Sequence, residues 1–220
     1  MYELPLFPLE TVLFPGTPIH LHIFEPRYRV MIRRCIDESR PFGVALIRRG
    51  LEAGAALPEP NQTGCTARIV SVEPYEDGRM DLTALGEERF RILGLSDEQV
   101  YLTGQVESWQ LAGSHSLEMQ RGARRLDPWV HRYLELVKRA DPENDLNLEA
   151  LQLPDDPLML LYWAAALLQL PAHEKQPLLE SPAAGALLAQ VTRLYRREAS
   201  LLGRLLGVEE AEANRASYLN

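Results

Sequence analysis

The chain has 220 residues, of which 46% are hydrophobic, 25% charged and 7% aromatic; at about 100–200 residues per domain it holds one large or two small globular domains. Thirty-one acidic side chains against 23 basic ones give a formal charge of −8, which opposes a general attraction to polyphosphate or to an anionic membrane surface. The longest unbroken apolar run, Leu158 to Leu168, has eleven residues, short of the roughly 20 that cross a bilayer as a helix, and reads as a buried core helix.

The N-terminal half reads as β-rich, with short β-branched or aromatic runs between Gly, Pro and Asp turn signals. The expected strands are Glu3–Leu9, Thr17–Phe24, Phe42–Arg48, Gly64–Pro74, Met80–Leu95 and Val100–Gln110. In the second, Ile19, Leu21 and Ile23 alternate with His20 and His22, the signature of a half-buried strand with both imidazoles on its wet face. Pro15-Gly16 predicts a turn with Gly16 at positive φ. One helix interrupts the strands: Pro26 suits a first helical position, and Tyr28, Met31, Ile32, Cys35 and Ile36 recur at helical spacing, with Arg27, Arg33 and Arg34 on the other face. Gly50–Thr63 has no period and reads as a mobile loop. Glu76-Asp77-Gly78-Arg79 supplies a tight turn that pairs Arg68–Tyr75 with Met80–Leu85 as a hairpin.

After Gly113 the period becomes helical. Leu117–Arg139 is amphipathic, and Pro128 is expected to kink or divide it. Asp156-Pro157 caps and starts a helix that reaches Leu170, where Pro171 ends it. The last helix runs from about Pro182 to Leu206, and the tail from Glu209 is expected to fray. The division falls near residue 112, giving domains 1–112 and 113–220 with formal charges of −5 and −3; neither is a basic domain.

Several chemistries lack their residues. The two lysines, Lys138 and Lys175, do not follow a glycine, which excludes a P-loop NTPase. Gly-x-Ser-x-Gly, Gly-x-Gly-x-x-Gly and His-Glu-x-x-His are absent, and with them the common hydrolase, dinucleotide-binding and zincin signatures. His20 and His22 share a strand face and would suit a metal if Glu10 or Cys65 supplied a third ligand, against the plainer reading of two solvated side chains. Cys35 falls on the apolar stripe of the first helix and reads as an inert thiol. Adjacent acids such as Glu87-Glu88, Asp155-Asp156 and Glu209-Glu210 suit turns and helix starts better than a convergent acid–base pair. No cofactor is implied. With no secretory leader in Met1-Tyr2-Glu3-Leu4-Pro5, and with Cys35 and Cys65 unpaired, a cytoplasmic protein is expected.

Leu4-Pro-Leu-Phe-Pro-Leu9, Val12-Leu-Phe-Pro-Gly16 and Ile23-Phe-Glu-Pro-Arg-Tyr28 form a spaced set. It continues through Phe42-Gly43-Val44, Gly64-Cys-Thr-Ala-Arg-Ile69, Asp77-Gly78-Arg79, Gly86-Glu-Glu-Arg-Phe-Arg-Ile92, Leu170-Pro171 and Glu174-Lys-Gln-Pro-Leu-Leu-Glu180. These blocks resemble the N-terminal, substrate-binding domain of Lon proteases over about residues 3 to 206. The resemblance implies an α+β fold, a PUA-like pseudo-barrel β domain with one inserted helix followed by a C-terminal helical bundle. Lon proteases continue into ATPase and Ser-Lys peptidase modules, and the 220 residues contain the motifs of neither, as in free-standing bacterial Lon-domain proteins. The implied function is therefore non-enzymatic capture of unfolded or exposed apolar peptide segments, or of a partner protein, associated with proteolysis. Nucleic acid and membrane are not expected as partners, and the oligomeric state is left open. The candidate contact residues are Phe7, Phe14, Pro15, Phe24, Arg27, Tyr28, Arg89 and Phe90. Each also has a structural reading: core packing for the aromatics, and for Arg89 a grip on a loop carbonyl or carboxylate. The alternatives are a small-molecule or metal-dependent enzyme built on His20, His22 and Cys65, and an RNA-binding PUA-like protein.

Overall fold

A computed structural model describes residues 1–52, 57–142 and 152–207. They form a mixed α+β structure with five helices and a six-stranded sheet, consistent with a PUA-like pseudo-barrel. By contacts along the chain it divides into two compact units, one comprising Met1–Ala112 with Ala165–Ser181, the other Gly113–Ala164 and the chain from Pro182 onward.

The first unit holds β1 (Tyr2–Leu9), β2 (Pro18–Ile23), α1 (Pro26–Asp37), β3 (Phe42–Arg49), β4 (Glu59–Pro74), β5 (Met80–Ser96) and β6 (Thr103–Ser108). The strands run in the order β2-β5-β4-β3-β1-β6, and β5 also pairs with β6, so five strands close on themselves and β2 extends from one end of β5. β5 manages this by length. Its first half, Met80–Leu85, pairs with β2, and its second half, Phe90–Ser96, pairs with β6. Register shifts between Cys65 and Ala67, Ile69 and Ser71, and Ile92 and Gly94 add the local twist that closure demands. β1 and β3 are parallel, which requires a crossover, and α1 lies within it.

The apolar face of α1 supplies Tyr28, Met31, Ile32 and Cys35 to a core that also contains Phe7, Phe42, Val44, Cys65, Leu82 and Tyr101. A smaller cluster of Leu4, Leu6, Phe90, Leu102 and Val106 fills the other part. Pro26 starts α1, and Gly16 turns the chain into β2 at φ +76, where a Cβ would be strained. β4 begins at Glu59, inside the stretch read from sequence as a loop, because Pro60 and Glu59 pair with Ile47 and Arg49; residues 53–56 of that stretch lie outside the described residues.

In the second unit, α2 (Leu117–Ala140) and α5 (Ala184–Leu205) pack together, with Tyr133 and Tyr195 edge to face at 5.3 Å. α2 is not divided at Pro128. Buried Leu126, Val130 and Tyr133 on either side hold it continuous, outweighing the missing backbone donor. α3 (Pro157–Leu167) is capped as expected, Asp156 Oδ1 accepting from the N–H groups of Leu158 and Met159 at 3.0 and 2.9 Å, but it stops before Leu170. α4 (Ala172–Leu179) has no counterpart among the expected helices: Pro171, read as a stop, is its N-cap. The segment 165–181, which periodicity assigns to the helical half, groups with the β unit, where Gln176 Nε2 on α4 donates to the Thr63 carbonyl at 3.1 Å. The tail from Glu209 lies outside the described residues.

Candidate functional site

β2 presents two polar rows to solvent. Across the sheet His20 stands opposite Thr83, which stands opposite Ser71; one pleat along, His22 stands opposite Asp81, which stands opposite Glu73. His20 Nδ1 and Thr83 Oγ1 are 3.0 Å apart, and His22 Nδ1 and Asp81 Oδ1 2.5 Å. The Tyr75 hydroxyl donates to the other Asp81 oxygen at 2.5 Å. That hydrogen bond, then the one to His22, holds the Asp81 carboxyl below the usual carboxylate range, and Asp81 in turn raises the Tyr75 phenol. The two rows line an open cleft of about 420 Å³.

Two aromatic rings pack on His22, one of the residues lining this cleft. Phe24, 53% exposed, stacks on His22 at 6.0 Å, and Tyr75, 46% exposed, meets the same imidazole edge-on at 6.0 Å. Phe24 is left outside because α1 begins two residues later and its inward positions are already taken by Tyr28, Met31 and Ile32. A second cleft, of about 570 Å³, is lined by Gln62, Arg91, Glu107, Trp109 and Glu180, with the Arg91 guanidinium 3.7 Å from the Trp109 ring centroid.

The other candidates from sequence sit elsewhere. Phe7 is buried, stacked on Tyr28 at 4.0 Å; Phe14 and Pro15 are buried in the turn before β2, the Phe14 carbonyl accepting from the Thr17 hydroxyl at 2.7 Å; Phe90 is buried in the smaller core cluster. Burial pushes the Tyr28 hydroxyl up to about 12. Arg27 is half-buried, paired with Glu25 at 2.8 Å, donating to the Glu52 carbonyl at 3.1 Å and lying 4.8 Å over the Tyr28 ring. Arg89, 2% exposed, donates through Nη1 to the carbonyls of Leu179 and Ser181, both at 2.7 Å, so one terminal nitrogen of its guanidinium holds the end of α4. Of the eight, Phe24 alone is largely exposed, with Arg27 beside it in the sequence and partly accessible.

The set His20, His22 and Cys65 is not assembled. Cys65 lies fully buried in the main core, where desolvation drives its thiol far above the usual range, and Glu10 is engaged through its backbone N–H with Glu52 at 2.9 Å. No group of three His, Cys, Asp or Glu among the described residues is placed to hold a metal ion. Cys35 is likewise buried, its thiol pushed up to about 11. Tyr75 and Asp81 were not singled out from sequence; the tight turn between them, which returns β5 alongside β4, was the signal that places both on one face.

Residues 3–197 match the family model of the ATP-dependent protease La (LON) substrate-binding domain. Lon protease 1 of Hydrogenovibrio crunogenus is 26% identical over 196 residues, covering 88% of this chain and 23% of that protein. The chain spans 23–24% of the length of the Lon proteases it matches at this level. A Lon N-terminal domain protein from Xanthomonas campestris, known by crystal structure, superposes with a TM-score of 0.59 at 27% identity over 87% of this chain and 97% of that one. The N-terminal domain of a Mycobacterium avium complex Lon protease superposes with a TM-score of 0.64 over 89% of this chain and 98% of that one; at 18% identity it speaks to the fold alone. The chain belongs to the family of Lon substrate-binding domains.

Proposed function

We propose that this chain is a non-catalytic recognition module that captures exposed apolar segments of other polypeptides in the cytoplasm, and that its contact surface is the ring cluster of Phe24, His22 and Tyr75. The observation that carries the reading is the match to a substrate-binding domain across 3–197. Two neighbouring rings left half in water against His22 support it, because exposed aromatics offer a large contact area at low entropic cost. Arg27 borders the cluster through the segment Phe24–Arg27. Phe7, Phe14, Pro15, Tyr28, Arg89 and Phe90 act from behind, holding β1, the turn before β2, α1 and β5 in place.

The experiment is a peptide array probed with the wild-type chain and with Phe24→Ala/Tyr75→Ala, whose changes fall on the surface and leave the fold intact, as an unchanged far-UV circular dichroism spectrum checks. Capture of aromatic and aliphatic peptides by the wild type, reduced about tenfold or more in the variant, supports the reading. A well-folded wild type that binds no peptide contradicts it.

A further inference from the structure

α1 carries five arginines within or just beyond its length, and three of them are neutralised locally. Arg27 pairs with Glu25, and Arg34 and Arg40 both pair with Glu38. Arg29 and Arg33 differ. They lie one turn apart on the same side of α1, and neither side chain makes an ion pair or hydrogen bond at contact distance among the described residues, although, beside the bond from the Arg79 backbone N–H, Arg29 is near enough to help hold the Asp77 carboxyl below its ordinary range. Like charges at this spacing disfavour each other.

Their guanidiniums converge on the β4–β5 turn. A Cβ built on Gly78 would collide with Nη2 of Arg29 and come within 3.2 Å of Nη2 of Arg33, so the two nitrogens meet over one point. Gly78 makes this possible twice over, by having no side chain there and by taking φ +81. The next residue, Arg79, brings a third guanidinium, bonded to Asp77 at 2.6 Å and lying 5.8 Å from the Tyr75 ring centroid. Asp77 is the one carboxylate bonded to any of the three; Glu76, the other acid of the turn, and Asp37, one turn beyond Arg33, bond none of them among the described residues. Two guanidiniums with no carboxylate bonded to them thus stand together in a chain of formal charge −8, next to the aromatic surface through Arg79 and Tyr75.

We propose that Arg29, Arg33 and Arg79 form an oxyanion site that takes a carboxylate of the bound polypeptide, an Asp or Glu side chain or its C-terminal group. The ligand class follows from the donors: guanidinium forks suit planar two-oxygen anions. The overall acidity selects a single carboxylate over a polyphosphate chain, whose remaining charges the rest of the surface repels. This inference rests on the reading of the surface as a peptide receptor and specifies which peptides it prefers.

The test compares two fluorescent hexapeptides of one aromatic–aliphatic sequence, one closing on Glu with a free carboxylate, the other on Gln with a terminal amide. Each is titrated against the wild type and Arg29→Gln/Arg33→Gln at about 0.05 M salt. The acidic peptide is expected to bind the wild type about fivefold or more tighter, in line with partly exposed ion pairs, and that preference vanishes in the variant while the neutral peptide is unaffected. Equal affinities in the wild type overturn the oxyanion site and leave peptide recognition standing. If neither peptide binds, the receptor reading fails, and titration with sodium acetate decides the site itself. Movement of the Arg29 and Arg33 Nε–Hε signals in an NMR spectrum then supports it, and unmoved signals overturn it. A short single-stranded RNA that displaces the acidic peptide with steep salt dependence also overturns it.

Discussion

Arg89 joins two parts of the first unit that no backbone ladder connects. From the middle of β5 it reaches the carbonyls of Leu179 and Ser181, while its guanidinium lies 4.5 Å from the Trp109 ring centroid. Arg89→Met fills much of the volume but orphans two buried acceptors, and is expected to cost about 2–4 kcal/mol, read as a lower urea midpoint with unchanged slope. The two thiols give a second check. Cys35 and Cys65 are buried with raised pKa, so at pH 8 neither reacts with a thiol reagent until the chain unfolds. A thiol whose folded pKa is raised contributes stability that is fully present below its unfolded pKa and fades as pH climbs toward the folded one. Asp81 works in the opposite sense: its depressed carboxyl contributes stability present above the unfolded carboxylate pKa of about 3.9 and lost as pH falls through the lower folded value. The thermal midpoints of wild type and Asp81→Asn therefore differ near neutrality and converge in acid.

Among the elements, β5 and β4 carry the barrel. Gly64 on β4 lets the Phe90 ring approach; a Cβ there would stand 2.5 Å from Phe90 Cζ and collide with the Val44 carbonyl. Gly64→Ala is expected to destabilise by about 1–3 kcal/mol through overpacking, and Asp156→Ala by about 1 kcal/mol through loss of the α3 cap, both measurable by denaturant titration. The strands, α1 and the β4–β5 hairpin were legible because their signals are local: alternation in Ile19–Ile23, Pro26 at a helix start, Asp77-Gly78 at a turn. α4 was not, since a helix of eight residues with Pro177 inside has no usable period. The start of β4 escaped notice because Glu59 and Pro60 are held by pairing with β3, a non-local contact. The same limit governs the site. Phe7, Phe14 and Phe24 each sit in an aromatic–proline motif, and nothing local says which of them the sheet will cover; closure of the barrel buries the first two and leaves Phe24 outside.

At the scale of the molecule, the proposed receptor surface is an exposed ring cluster on the β unit, in contact with the His20–Glu73 cleft through His22 and with Arg79 through Tyr75. The most direct measurement is an NMR titration of the isotopically labelled full chain with an unstructured aromatic–aliphatic peptide. Saturable shift changes concentrated at His22, Phe24, Tyr75 and the neighbouring Arg29 and Arg33 are the predicted result. A spectrum unchanged at millimolar peptide, or changes confined to the Trp109 cleft, would contradict the account.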